Sequence, residues 1–173
     1  MAISRRGALR AALGGMGVAA VAGCGFALRR PAELPFSRIV IAGFAPQSPM
    51  AQALRQALPR SVTVVEQPRE ADVVLVALED RFDKTVAAST AAGQVREFRL
   101  RVTLRFRLDH PDGTPQLPEQ RLELTRDMSY SETAALAKQT EEAVLVREMR
   151  MDLAQQLLLM LEATGRPSDP ARG

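Results

Sequence analysis

The sequence predicts an α+β fold, in which two helices pack on one face of a four-stranded, mixed but mostly antiparallel sheet to form a two-layer sandwich. Residues 98–108 alternate apolar and polar residues without exception, the pattern of a strand with one face in a core. Residues 140–164 repeat apolar residues at helical spacing, and a shorter helical pattern follows an early β-branched strand. A sheet with one apolar face needs a cover, so both helices are expected on that face.

The chain divides into four predicted regions. Residues 1–23 are a lipoprotein signal peptide, and residues 24–36 are a lipidated N-terminus and tether that contains two prolines. Residues 37–165 are a single α+β domain, because about 150 residues after cleavage suffice for one core and not for two. Residues 166–173 are predicted to be a flexible C-terminal tail.

The first 23 residues have the layout of an export signal. Arg5, Arg6 and Arg10 precede an alanine- and glycine-rich apolar run at 11–22, which is too short to cross a membrane as a helix. The paired arginines resemble a twin-arginine signal but are also common in ordinary signals, so both export routes stay open.

Cys24 is the only cysteine of the chain, and it follows Val21-Ala22-Gly23 in the pattern of a bacterial lipobox. We predict that it becomes the new N-terminus and carries the lipid, because two or three acyl chains hold a protein on a membrane stably. The alternative is a buried free thiol, the usual state of a lone cysteine in a globular domain. An intrachain disulfide would need a second cysteine.

The elements of the domain follow in order. A strand is predicted at 38–44, and a helix of about ten residues begins at Ser48, the N-cap, with Pro49 in its first turn. Further strands are predicted at 62–65 and from 73 toward 86, before a turn at 87–94. After the alternating strand, a proline-rich loop at 110–118 leads into a returning strand at 122–128 and then the long helix at 140–164.

The alternating strand carries four arginines on its polar face, which are Arg99, Arg101, Arg105 and Arg107. Antiparallel pairing would place Glu123 and Asp127 of the returning strand on the same face, where opposite charges stabilise a sheet weakly. Four arginines against two acids predict an excess of positive charge. The face is expected to meet either water or the polar surface of a partner, and the sequence leaves both open.

Charge and composition argue against nucleic acid as a partner. The chain has 23 basic and 20 acidic residues, but removal of the signal peptide takes away three arginines and leaves a neutral protein. Aromatic residues make up 4% of the chain, which leaves little for base stacking.

The residue pattern also gives no sign of catalysis. The single histidine, His110, lies in a proline-rich loop away from any candidate nucleophile, and cysteine and histidine do not cluster as in a zinc site. Glu79, Asp80 and Asp83 could bind a cation, although acids at a strand end more often keep a surface soluble. We predict a non-enzyme with no metal and no cofactor other than the covalent lipid on Cys24.

Several short segments, in their order and spacing, resemble the LPS-assembly lipoprotein family, LptE. They are residues 24–29, 129–131, 135–138 with Glu141-Glu142, and Met149-x-x-Asp152-x-x-x-Gln156-Leu157-Leu158 closing on Leu161. The resemblance implies a non-enzymatic lipoprotein that plugs an LptD-type outer-membrane β-barrel, assists its assembly and binds lipopolysaccharide. It also implies a lipid-anchored protein of the outer membrane that faces the periplasm, and Gly25 after the cysteine is a residue type that permits such sorting.

The resemblance implies two lipopolysaccharide-binding residues and leaves the four strand arginines as candidates for contact with the barrel. Lys138 matches a basic family position, and a lysine ammonium suits a lipid A phosphate. The family's second basic residue lies in a turn that here reads 89–94 without any basic residue, so Arg96 is the candidate substitute. The alternative function is another periplasm-facing envelope lipoprotein, an accessory or activator subunit of a cell-wall or lipid-transport complex.

Overall fold

A computed structural model of the chain describes residues 33–165. The predicted signal peptide, Cys24, most of the tether and the C-terminal tail lie outside these residues. The described elements are β1 (Arg38–Ala42), α1 (Pro49–Ala57), β2 (Thr63–Val64), a 3-10 turn (Pro68–Glu70), β3 (Val73–Ser89), β4 (Val95–Asp109), β5 (Pro115–Ser129), a second 3-10 turn (Glu132–Ala134) and α2 (Ala135–Thr164).

The sheet has five strands in the order β2-β1-β3-β4-β5. β1 is parallel to both of its neighbours, whereas β3, β4 and β5 form an antiparallel meander. The α+β class with two helices on a mixed sheet is confirmed, but the prediction of four strands was wrong. The short edge strand β2 lies within the segment predicted as a strand at 62–65, and it raises the number in the sheet to five; its Thr63 N–H donates to the Ser37 carbonyl at 2.8 Å.

The alternating strand places its apolar residues in the core as predicted. Leu100, Val102, Leu104, Phe106 and Leu108 of β4 are all fully buried. They meet a stripe on α2 whose fully buried members include Met149, Leu153, Leu157 and Leu161. The core therefore lies between the meander and the helices, and the other face of β4 is left for polar residues.

The first helix begins where the sequence predicts. The Ser48 hydroxyl accepts hydrogen bonds from the backbone N–H groups of Met50 and Ala51, each at 3.1 Å, which satisfies two of the helix's unpaired donors. Leu54 on the same helix is buried in the core.

Both hairpins are longer than the sequence predicts. Their turns are tight and contain Gly93 and Gly113, both with positive φ. β5 begins at Pro115, inside the segment that was expected to be a loop. Pro115 and Pro118 are tolerated there because β5 is an edge strand, and a missing N–H on the open side breaks no ladder bond.

The ends of the domain also differ from the predicted boundaries. Phe36 is buried in the core and Leu34 packs against it, so residues assigned to the tether belong to the packed domain. The long helix begins at Ala135 and not near residue 140. Neither α1 nor α2 has a stretch long and apolar enough to span a membrane.

Candidate interaction surfaces

The face of the sheet opposite the helices is a network of ion pairs. The four arginines of β4 lie on it, as the alternation predicts, and each contacts a carboxylate. The pairs are Arg99–Asp127 at 2.8 Å, Arg101–Glu123 at 3.3 Å, Arg105–Glu119 at 2.7 Å, Arg105–Glu79 at 3.5 Å and Arg107–Asp109 at 2.8 Å.

The predicted excess of positive charge on this face was wrong. Sequence reasoning counted Glu123 and Asp127 and missed three further acids, Glu79, Glu119 and Asp109. Glu79 was missed because it belongs to β3, whose pairing with β4 is set by a register that the sequence does not reveal. Each β4 arginine has at least one acidic partner, so the surface is strongly polar with its charges balanced locally.

The ion pairs change the titration of their carboxyl groups. The hydrogen bond from Arg99 lowers the pKa of Asp127, and the one from Arg105 lowers the pKa of Glu119. The pKa of Glu123 is lowered first by Arg121 and then by the charge of Arg101. These carboxyl groups are solvent-exposed, so each pair contributes little to stability and the network matters mainly as a surface.

Lys138 is the fourth residue of α2. Sequence reasoning had placed it before the start of this helix. Its Nζ donates to the Ser129 hydroxyl at 3.0 Å and to Glu141 Oε2 at 2.8 Å, and 19% of its side chain is exposed. An ammonium group has three N–H donors, so one is left for an additional acceptor.

Arg96 lies at the same end of the sheet as Lys138. It follows the β3–β4 turn, its backbone carbonyl accepts from the Tyr130 N–H at 2.7 Å, and its neighbour Glu97 pairs in register with Ser129, to which Lys138 is bonded. The Arg96 side chain is exposed and forms no ion pair with any residue in the described range. It lines a shallow cleft of about 170 Å³ between the turn and residues 131–133.

An aromatic cluster that sequence reasoning missed supports this end of the sheet. The rings of Phe98 and Tyr130 meet edge to face with centroids 5.0 Å apart, and Lys84 Nζ lies 4.2 Å from the Phe98 ring centroid. Lys84 also forms an ion pair with Glu142 of α2, which ties β3 to the helix. The sequence identifies Phe98 as the first residue of the alternating strand. It does not show that Tyr130 and Lys84 contact Phe98, because these contacts depend on how the segments pair.

This end is remote from the start of the domain. β3 begins beside β1, where the Asp72 carboxylate accepts hydrogen bonds from the backbone N–H groups of Ser37 and Arg38. It then runs 17 residues to the turn before Arg96. At roughly 3.3 Å per residue, the two ends are on the order of 50 Å apart.

The three acids considered as ligands for a cation, Glu79, Asp80 and Asp83, each contact a different partner. Glu79 contacts Arg105, Asp80 accepts from the Ser48 hydroxyl at 2.6 Å, and Asp83 pairs with Arg81 at 2.7 Å. Within residues 33–165, no group of three or more His, Cys, Asp or Glu side chains is placed to hold a metal ion.

The fold and surfaces define the class as a small two-layer α+β domain with a long antiparallel meander, one face in the core and the other ion-paired. The lipopolysaccharide-assembly family model, LptE, matches residues 36–161, which is most of the described domain. The chain belongs to the LptE family of lipopolysaccharide-assembly lipoproteins.

Relatives and solved structures agree with this assignment. The LPS-assembly lipoprotein LptE of Yersinia enterocolitica is 31% identical over 156 residues, covering 85% of this chain and 72% of the relative. Its counterpart in Photorhabdus laumondii is 28% identical over 150 residues, covering 85% and 81%. The NMR structure of lipoprotein B from Nitrosomonas europaea superimposes with a TM-score of 0.68 at 27% identity, covering 80% of this chain and 91% of that one.

Proposed function

We propose that this protein is a non-enzymatic, lipid-anchored subunit of the outer membrane, where it plugs an LptD-type β-barrel from the periplasmic side. In this role it assists assembly of the barrel and binds lipopolysaccharide on its way to the outer leaflet. The observation that carries the proposal is the ion-paired sheet face of a chain that belongs to a lipopolysaccharide-assembly family.

The ion-paired face suits a position inside a barrel. Interiors of outer-membrane barrels are polar, and a charged surface enters such an interior at low cost only if its charges keep partners. The arginines of β4 already have carboxylate partners within the domain. They can therefore lose part of their hydration without becoming unpaired, and they can exchange partners with polar groups of a barrel wall.

The end of the sheet that carries Arg96 and Lys138 suits an anionic lipid headgroup. Arg96 has an exposed guanidinium with no ion pair in the described domain, and Lys138 retains one N–H donor beyond its contacts with Ser129 and Glu141. A guanidinium and an ammonium at the same end of the sheet can both bind phosphate oxygens. These two residues, rather than the sheet arginines with their existing partners, are the proposed lipopolysaccharide contacts.

The described domain begins at the pole remote from Arg96 and Lys138, where β1 starts. The proposed lipopolysaccharide contacts therefore lie at the end of the domain opposite its first strand residues.

Depletion of the protein combined with affinity purification of the barrel tests the proposal. We expect the wild-type protein to copurify with the barrel and surface lipopolysaccharide to fall when the protein is depleted. If crosslinked complexes contain an inner-membrane enzyme and no barrel, and surface lipopolysaccharide is unchanged, the protein is an accessory lipoprotein of another envelope complex.

A further inference from the structure

The outer edge of β3 is unpaired over most of its length. β1 pairs with β3 only at residues 73–76, and the chain then turns away at Gly43, which packs against Ala77. In the described domain, residues 78–89 have β4 on one side and no strand on the other. This leaves a free edge of twelve residues, about 40 Å long.

This edge has no proline to block strand addition, although it carries charged residues and its ladder is irregular at Ala77/Glu79 and between Val86 and Ser89. The opposite edge, β5, contains Pro115 and Pro118, whereas residues 78–89 contain no proline. Large apolar side chains on the free edge are exposed, namely Leu78, Phe82 and Val86. Long apolar edges promote aggregation, so natural proteins usually cover or interrupt them.

Two inward-pointing charges on the edge are already satisfied within the domain. Asp80 accepts a hydrogen bond from the Ser48 hydroxyl, and Lys84 pairs with Glu142. Inward charges repel an added strand when they lack partners, but these two are held against the helices. The backbone of the edge is therefore open to pairing.

A groove runs between the edge and α2. It has a volume of about 480 Å³, with Phe82 on the strand side and Ala143, Val146 and Arg150 on the helix side. A second groove of about 430 Å³ between α1 and α2 shares Ala143 and Arg150 in its lining. Both linings combine apolar and polar side chains close to the open backbone.

Two arginines of α2 lie beside these grooves without an ion-pair partner. Arg150 lines both grooves and Arg147 lines the one between α1 and α2, and neither has a carboxylate within ion-pair distance in the described domain, although Asp80 lies near enough to act on the charge of Arg150. The guanidinium of Arg150 lies 5.9 Å from the Phe82 ring centroid, and partial burial lowers the pKa of Arg150. These arginines differ from those of the sheet face, which all have carboxylate partners.

We propose that an extended segment of the barrel partner adds as a sixth strand along residues 78–89 and directs acidic side chains at Arg147 and Arg150. The inference rests on the proposed function, since the barrel supplies the segment. Main-chain hydrogen bonds to an open edge provide affinity in such strand addition, and side-chain pockets provide specificity. Here Phe82 and Val86 receive apolar side chains, and the two arginines select for carboxylates.

Hydrogen exchange on the purified complex tests strand addition. Backbone amides of residues 78–89 that face the open edge should exchange at least about tenfold more slowly in the complex with the barrel than in the free protein. The open edge of β5 is the internal reference. A complex that forms without slowing exchange at 78–89 overturns the inference and leaves the proposed function intact. Failure to form any complex overturns both.

Charge reversal tests the acidic partner segment. The double variant Arg147→Glu/Arg150→Glu should lower recovery of the complex at least about tenfold, because like charges would face each other in the groove. The control is Arg60→Glu/Arg69→Glu, which makes the same change in net charge at exposed positions outside the groove. Thermal unfolding of each variant establishes that the domain is folded.

Two results would contradict this part of the proposal. Wild-type recovery of the complex with the folded groove variant would show that the arginines do not contact the partner. A free protein that sediments as a dimer, with residues 78–89 already protected from exchange, would show that the edge pairs with a second copy of this chain.

Discussion

Gly43 shows how one residue limits the extent of the sheet. It has a φ of +82°, and a Cβ at this position would lie 2.2 Å from the Ala77 carbonyl oxygen. The chain can leave β1 here only because no side chain is present, and that departure leaves the β3 edge open beyond Ala77.

The Gly43→Ala variant should be destabilised by about 2 to 3 kcal/mol, since a left-handed backbone conformation and a backbone clash act together. Gly93→Ala is the matched control, because Gly93 has a φ of +80° with no atom within 4 Å of the added carbon. The control should lose only about 1 kcal/mol. Urea unfolding of both variants measures the difference, and equal losses would show that the Gly43 contact with Ala77 relaxes freely.

Lys138 is the residue at which ligand binding is most directly testable. Lys138→Asp should weaken lipopolysaccharide binding about tenfold to a hundredfold, because it replaces a charge-assisted hydrogen bond with repulsion. Lys138→Arg keeps the positive charge and should retain most of the affinity. The measurement is a binding titration at two salt concentrations with thermal unfolding beside it. Undiminished affinity of a folded Lys138→Asp protein would move the site to Arg96 alone.

At the scale of elements, the pH dependence of stability should follow the pairs between β4 and β5. Asp127 and Glu119 have ordinary pKa values of 3.8 and 4.5, and Arg99 and Arg105 lower them in the folded state. A carboxyl group with a lowered folded pKa stabilises the protein above its unfolded pKa, and that contribution disappears as the pH falls through the folded pKa.

We therefore expect a fall in the urea midpoint between pH 7 and pH 3 that is smaller in Arg99→Gln/Arg105→Gln than in the wild type. The variant's carboxyl groups lose their partners and titrate nearer their unfolded values. The same fall in both proteins would mean that other acids determine the acid sensitivity.

The polar face of the meander gives a second test at this scale. Arg101→Glu/Arg105→Glu should leave the domain folded, because both side chains are exposed, but it should weaken association with the barrel. In the variant, Glu119 and Glu123 would lie beside new carboxylates, and this face would become strongly acidic. Copurification with the barrel is the measurement, and unchanged recovery would indicate that the face meets water.

Sequence reasoning succeeded for elements whose pattern is local. The alternation of β4 and the cap at Ser48 each depend on neighbours in the chain, and both are confirmed. The early start of β5 at Pro115 was missed, because an edge strand tolerates proline. The strand predicted at 62–65 is present only as the two residues of β2. The acids facing Arg105 depend on the register between strands, which a single sequence does not specify.

At the scale of the whole molecule, the proposed lipid on Cys24 would determine where the domain resides. Cys24→Ser should leave an uncleaved precursor that incorporates no radiolabelled palmitate, because the thiol is the proposed site of lipid attachment. Labelling with palmitate and membrane fractionation measure the outcome. Palmitate in the mutant protein would exclude the thiol of Cys24 as the attachment site.

The two ends of the described chain lie at the same pole, since Gly165 packs against Pro35 closely enough that a Cβ would come 2.4 Å from the proline Cβ. Chain tension applied ahead of residue 33 would therefore reach β1 from this pole and act along the strand axis. β1 lies between two parallel neighbours, and its hydrogen bonds run across the strand. Such a pull loads these bonds together in shear instead of opening them one by one, so the domain should resist mechanical extraction more strongly than a terminal hairpin strand would.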